Sequence, residues 1–347
     1  MPIRLGILGF AHGHVHTYCN VWRERFADEI HLVAGWDHDL GGARVGAEKY
    51  NLKMYDTPED LLVHEPLDAV VIAAETSLHA DLVEMAARAG RSIILQKPLA
   101  LTMDQANRIV KAVENHGIFF TLAWQMRVDP QNLQMRQLVN DETIGRVFML
   151  RRRHGLSTHT WKDFDKTWHV KPDLNRGMWA DDACHAIDFL FWMLGKPTSV
   201  VAEIETLHNP LVPDDNGIAI FRYADGTLAE ITCSFTCLAG ENTTEIVGEK
   251  GVIIQNFGDG PSAAAPRAPG AAGLKWITAG AKDWTTSEIP SPASHAERIA
   301  ALAPELVAFL KGDRGPICTA EEARTSLAMT LACYESAQTG KRISIPS

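Results

Sequence analysis

The first residues constrain this chain most. Ile3 to Leu8 is apolar at nearly every position, as a buried parallel strand is, and the run then breaks at Gly9. From Gly9 to His14 the chain reads Gly-Phe-Ala-His-Gly-His, and a helical pattern follows. A strand, a glycine turn and a helix in that order place backbone N–H groups and the positive end of a helix dipole at the turn. That arrangement suits the pyrophosphate of a dinucleotide. The spacing departs from Gly-x-Gly-x-x-Gly: Ala11 and His14 occupy motif positions, and Gly13 stands one place early. A second apolar run, Ile30 to Trp36, ends on Asp37. A carboxylate there can accept hydrogen bonds from the adenosine ribose diol and repel a 2′-phosphate, so NAD is expected over NADP. The plainer reading, in which Asp37 only ends a strand, stands beside it.

Up to about residue 122, apolar runs alternate with helical patterns. Strands are expected at 3–8, 30–36, 68–73, 92–95 and 119–123. Helices are expected near 14–26, 40–50, 58–63, 78–89 and 102–116. Thr57 before Pro58, Ser77 and Thr102 read as N-caps, and Gly90 as a helix stop. Such alternation predicts a doubly wound parallel sheet with helices on both faces, over residues 1–123. Beyond it come a helix at 130–140, a strand at 145–154, an irregular stretch to 169 and a helix at 180–194 closed by Gly195 and Pro197. Closely spaced strands follow near 198–207, 216–223, 227–237, 242–248 and 251–255, with Asp225-Gly226 as a hairpin turn. Residues 258–273 read as a Gly-, Pro- and Ala-rich loop, then helices at 294–311 and 319–338 and a tail strand at 342–345. Residues 124–347 therefore read as an α+β domain with an open, mostly antiparallel sheet.

The length of 347 residues leaves room for two cores, and 46% apolar with 22% charged residues is an ordinary globular balance. A net charge of −10 argues against nucleic acid or an anionic membrane as partner. No window approaches the roughly 18 apolar residues of a membrane span, and no signal-peptide pattern precedes the first strand. A cytoplasmic protein is expected. The six cysteines are scattered and read as reduced core residues; Cys233 and Cys237 lack a second pair for a zinc cage.

Four groups of residues can carry chemistry. Lys97, in Gln96-Lys97-Pro98 directly after the strand at 92–95, would stand at the carboxyl end of the sheet, where an ammonium can steady a developing alkoxide; it can equally be an exposed loop lysine. Asp181 and His185 are four apart on the helix at 180–194, with Asp182 and Asp188 close by. A carboxylate beside an imidazole orients it as a general base, although such charges can also simply serve the first turn of a helix. His12 and His16 are also four apart, but no third metal ligand is evident, and no metal is expected. His154, His159, Trp161, Trp168 and His169, with Arg176 nearby, combine aromatic faces and hydrogen-bonding groups that suit a polyol or sugar ring; the tryptophans can instead plug a domain interface.

These segments together resemble the Gfo/Idh/MocA oxidoreductase family over nearly the whole chain. The resemblance rests on the strand 1 loop, Asp37, Ala73-Ala-Glu-Thr-Ser-Leu-His79, Gln96-Lys97-Pro98, Trp124-Gln-Met-Arg127-Val-Asp-Pro130, Asp181-Asp-Ala-Cys-His185-Ala-Ile-Asp188, and the tail Tyr334-Glu-Ser-Ala-Gln-Thr-Gly340. It implies a Rossmann domain, a second α+β domain whose open sheet forms the interface of a homodimer or homotetramer, and Lys97, Asp181 and His185 as catalytic residues. It implies NAD, held by Gly9, Phe10, Ala11, His12, Gly13, His14, Asp37, Ala74, Glu75, Thr76, His79, Gln96 and Lys97. It also implies a carbohydrate-like substrate, oxidised at a secondary hydroxyl or reduced at a ketone, met by Trp124, Arg127, His154, Trp161, Trp168, Asp182 and His185. Departures from the family pattern are Gln96 for glutamate, Ala183 for glycine in the helix, and Arg176 for a glycine before it. Alternative readings are a hydrolase or lyase that recycles a tightly held NAD, a ligand-binding regulator, and a metal enzyme using His12 or His185.

Overall fold

The computed structural model of the chain describes residues 1–238, 242–256 and 270–345. It divides into two compact units. The first is Met1–Gln125 with Asp173–Asn175 and Arg298–Leu327; the second is Met126–Pro172, Arg176–Glu297 and Ala328–Ser347. The sequence reading placed one boundary at 123/124, with the C-terminal helix packing back on the first domain; it carried no sign that Asp173–Asn175 belongs to the first unit.

The first unit begins β1 (Ile3–Leu8), α1 (His14–Arg25), β2 (Ile30–Trp36), α2 (Leu40–Tyr50), β3 (Lys53–Tyr55) and α3 (Pro58–His64). It continues β4 (Ala69–Ile72), α4 (His79–Arg88), β5 (Ser92–Leu95), α5 (Met103–His116) and β6 (Phe120–Leu122). Every strand pair is parallel, in the order β3-β2-β1-β4-β5-β6, the doubly wound arrangement. Leu5, Ile7, Leu8, Val70, Val71, Ile93 and Ile94 are wholly buried, which is why these strands read as unbroken apolar runs. Thr57 and Thr102 accept the N–H of Asp60 and Gln105 and start α3 and α5. Ser77 does not cap α4. It lies in a short 3₁₀ turn, Thr76–Leu78, where Leu78 N donates to Glu75 O at 3.0 Å, so the helix entry is satisfied by the turn itself. The sequence missed β3, whose three residues are too few to show a period.

The second unit opens with α6 (Pro130–Asn140) and β7 (Val147–Gly155); the single-turn α7 (Pro172–Asn175), whose last three residues belong to the first unit, precedes α8 (Cys184–Leu194). Next come β8 (Ser199–Glu205), β9 (Asn216–Arg222), β10 (Leu228–Ser234), β11 (Asn242–Gly248), β12 (Gly251–Gln255), β13 (Leu274–Thr278) and β14 (Thr285–Thr286). The chain ends with α9 (His295–Ala300), α10 (Leu302–Lys311), α11 (Ala320–Thr339) and β15 (Ile343–Ser344). The sheet order is β14-β13-β12-β11-β7-β10-β9-β8-β15, and among the described residues only β7 and β10 pair in parallel. Asp225-Gly226 turns β9 into β10 with Gly226 at φ +90°. Most of the 258–273 loop lies outside the described residues, and β13 and β14, beyond it, were not foreseen. The helix expected at 294–311 is two helices: Pro304 has no N–H to offer the carbonyl of Ala300, so the ladder breaks there. One face of the sheet is covered by α8, where Trp179, Phe189, Leu190, Phe221 and Ile231 form a buried core.

Candidate active site

In the first unit, the strand order reverses between β1 and β4, and the carboxyl ends of strands at such a point are where doubly wound folds hold their ligands. Gly9 sits there at φ +90°, donates to Trp36 O at 2.7 Å, and packs so close to Ala74 that a Cβ would collide with that residue's backbone. His12 N donates to Ala73 O at 2.9 Å, which ties the β1 loop to the end of β4. The space where Gly13, the residue before α1, would carry a Cβ is open. Asp37 holds the same loop from the β2 side: its Oδ2 accepts Phe10 N at 2.7 Å and its Oδ1 accepts Asp39 N at 2.9 Å. A backbone cradle that only glycine permits, a helix start and a carboxylate at the next strand end together fit a dinucleotide. The His12/His16 metal pairing does not form by helical spacing. His12 precedes α1, and His16 Nδ1 lies 3.0 Å from the Tyr50 hydroxyl. Among the described residues no cluster of three metal-ligating side chains occurs.

The ends of β4 and β5 add the next layer. Glu75 is buried, with His38 Nε2 3.5 Å from its Oε1, and Thr76 Oγ1 donates to Asn175 Oδ1 at 2.7 Å. His79 is buried behind both loops: its Nδ1 lies 3.0 Å from Pro98 O and its Nε2 3.2 Å from Ala74 O. Its effect on a ligand therefore runs through the loops it ties. Burial lowers its pKa to about 4, and the Lys97 charge adds to the shift. Gln96, Lys97 and Trp124 are buried, and Gln96 Nε2 donates to the Tyr18 hydroxyl at 2.8 Å. The amide thus serves as a donor where the family's glutamate could only accept.

In the second unit, Asp181 and Asp182 lie on a π-helical turn, Trp179–Ala183, that leads into α8. A wider turn of this kind is frequent at functional sites and alters which side chains align with the helix that follows. Asp182 Oδ1 is the carboxylate oxygen 3.6 Å from His185 Nε2, and Asp181 Oδ2 lies 3.1 Å from His169 Nδ1. Trp168 stacks on His169 at 4.1 Å. His154 is buried with Nε2 2.8 Å from Asp182 Oδ2 and Nδ1 2.7 Å from Asn242 Oδ1. Both its ring nitrogens are engaged within the protein, so it reaches a substrate through Asp182 and not as a direct hydrogen-bonding group. Arg152, two residues earlier on the same strand face, donates to Asn242 Oδ1 at 3.1 Å and Thr244 Oγ1 at 2.6 Å, with Phe189 under its guanidinium at 4.1 Å. The structure thus gathers His154, Trp168, Asp181, Asp182 and His185. The sequence reading missed Arg152 and Asn242; the available signal was polar residues alternating along the buried face of β7.

Two other expected substrate residues contact side chains outside this group. Arg127 is spent on Asp188: Nε and Nη2 bond its two carboxylate oxygens at 2.9 and 2.8 Å, and both side chains are buried. A bidentate pair of this kind belongs to the core of the unit. Trp161 lines a cavity of about 240 Å³ with His159, Asp165 and His208, and Phe164 stands between that cavity and His169, on which it stacks at 6.0 Å.

The sequence matches two family models. One, described as an oxidoreductase family with an NAD-binding Rossmann fold, covers residues 3–123; the other, the GFO/IDH/MocA C-terminal domain, covers residues 132–254. It is 28% identical over 225 residues to trans-1,2-dihydrobenzene-1,2-diol dehydrogenase of Xenopus laevis, which covers 64% of this chain and 66% of that protein. It is 28% identical over 260 residues to inositol 2-dehydrogenase of Rhizobium meliloti strain 1021, which covers 73% of this chain and 75% of that one. The WlbA dehydrogenase of Bordetella pertussis, solved in complex with NADH and UDP-GlcNAcA, shares the fold over 100% of both chains, with a TM-score of 0.81 at 22% identity.

Proposed function

The chain belongs to the Gfo/Idh/MocA oxidoreductase family, and from that premise we propose that it exchanges a hydride between NAD and a secondary hydroxyl or ketone of a sugar, polyol or inositol-like substrate. Bound NAD supplies the nicotinamide carbon that accepts or donates the hydride. The Gly9–His14 loop and the start of α1 would hold its pyrophosphate, and Asp37 would accept from the ribose diol. Lys97 steadies the alkoxide character of the reacting oxygen, and Gln96, anchored on Tyr18, holds the backbone beside it. His185 takes the hydroxyl proton. Asp182, 3.6 Å from its Nε2, stabilises the imidazolium that forms, and Asp181 with His169 positions the turn that carries them. The observation that carries this chemistry is that couple: a buried imidazole facing a carboxylate on a π-helical turn.

A second copy of the chain is proposed to dock on the uncovered face of the nine-stranded sheet, where Met149, Ile218 and Ile220 are exposed. Among the described residues no helix is long and apolar enough to cross a membrane. All six cysteines are buried thiols outside any disulfide, which supports action in a reducing cytoplasm.

The test is a screen of sugars, polyols and inositols with NAD and NADP, read as net reduced nicotinamide. Lys97→Ala is expected to bind NAD nearly as the parent does and to lose roughly a thousandfold or more in kcat. An unchanged kcat removes Lys97 from the mechanism. Product formed with no net reduced nicotinamide points instead to a hydrolase or lyase that recycles its NAD.

A further inference from the structure

His154 stands between two acceptors. Its register partner across the sheet is Asn242, and Asn242 Oδ1 receives a bond from Arg152 Nη2 at 3.1 Å. A guanidinium can only donate, so the Asn242 amide presents its oxygen to this cluster and His154 Nδ1, 2.7 Å away, must carry a proton. A neutral imidazole with its proton on Nδ1 would then aim the Nε2 lone pair at Asp182 Oδ2, 2.8 Å away. Two lone pairs do not face each other at that distance, so a further proton lies between them.

We propose that His154 and Asp182 share a proton on the Nε2–Oδ2 line, and that this pair sets how strongly His185 binds its own proton. Asp182 Oδ2 faces His154 and Oδ1 faces His185 Nε2 at 3.6 Å, so one carboxylate connects the two rings, whose centroids are 5.7 Å apart. The more completely the shared proton resides on His154, the more negative charge Asp182 presents to His185, and the more basic His185 becomes. His154 and Asp182 are positioning residues in this scheme. Other charged or titratable groups of the same unit around them include Arg152 on β7, Cys233 on β10, whose thiol is pushed up by burial and by Asp182, Asp181 with its partner His169 ahead of α8, and the Asp188–Arg127 pair along α8. The shared proton follows from the geometry alone. Its effect on turnover rests on His185 being the base proposed above.

The decisive measurement is ¹⁵N NMR of the ligand-free full chain labelled at its 14 histidines, with the His154 signals assigned from His154→Gln. His154 Nδ1 is expected to show a protonated shift at neutral pH and Nε2 a shift moved from the bare value toward the protonated one; a bare Nε2 overturns the proposal. The same spectra follow the titration midpoint of His185. Asp182→Asn removes the negative charge and is expected to lower that midpoint by about one pH unit. His154→Gln leaves Asp182 fully charged and is expected to raise it. Midpoints that stay in place, or that move in the same direction, overturn the coupling. If either variant fails to fold, the parent spectrum still decides where the proton lies. Where a substrate is found, the acid limb of kcat against pH follows the same two directions; a purely structural role would lower kcat and leave the limb in place. Because the NMR readouts need no turnover, failure of the dehydrogenase reading and failure of this proposal are distinguishable.

Discussion

The two units bury polar side chains in different company. In the parallel-sheet unit the partners are mostly main chain. His79 lies against the carbonyls of Ala74 and Pro98, Asp37 accepts Phe10 N, Trp22 Nε1 donates to Ala303 O at 3.0 Å, and Thr121 Oγ1 accepts Ile317 N at 2.9 Å. In the second unit the partners are mostly other side chains: Arg127 with Asp188, His154 with Asp182 and Asn242, Arg152 with Thr244, and Asn132 Oδ1 with Gln255 Nε2 at 3.1 Å. Every residue supplies a main-chain carbonyl, and every residue but proline an N–H, so the first kind of contact survives substitution of the partner. The second kind needs two particular residues at once, and losing one leaves the other buried and unsatisfied. A scaffold built the first way holds a common cofactor loop while sequence drifts; a site built the second way can be retuned pair by pair.

The contrast can be broken most severely at the Arg127–Asp188 pair. Asp188→Asn leaves a buried guanidinium without its charge partner and is expected to cost about 3–5 kcal/mol in denaturant unfolding. Arg127→Met with Asp188→Leu should recover much of that loss, and a simple sum of the two single effects would contradict the pairwise account. In the first unit the corresponding probe is acid. His79 titrates near 6.5 when unfolded and about 4 when folded, so between those values the unfolded chain binds more protons. Stability is therefore full above about pH 6.5 and falls as the pH drops toward 4, by about 3 kcal/mol from this group. Unfolding of His79→Asn should lose that slope; an unchanged slope would assign the acid sensitivity elsewhere. The smallest effect sharpens the local end of the contrast. Thr102→Ala removes the cap of α5 and should cost about 1 kcal/mol by thermal or chemical unfolding, with NAD affinity unchanged.

Legibility followed the same division. Gly9, Asp37, Thr57 and Thr102 announce themselves because each acts on backbone within a few residues or at the end of its own strand. Ser77 misled because a 3₁₀ turn can satisfy the entry of a helix as well as a side chain can. Asp181 and Asp182 were both visible near His185. Which of them faces His185 Nε2 depended on a π-helical turn that ideal α-helical spacing does not anticipate. The resemblance gave Arg127 to the substrate, and nothing local pairs it with the carboxylate 61 residues later that it bonds in the structure.

Most of the order of strands and helices, the short β3, β13 and β14 excepted, with the apolar strand cores, the glycine turn after β1 and the carboxylate after β2, was determined by the amino-acid sequence alone, because periodicity, capping and turn chemistry act over short stretches of chain. Only the tertiary structure decided that Asn242 would meet His154 across 88 residues, and that Arg152 would orient the amide between them. Strand register places those groups on one buried face, and register is a property of the assembled sheet rather than of any single segment.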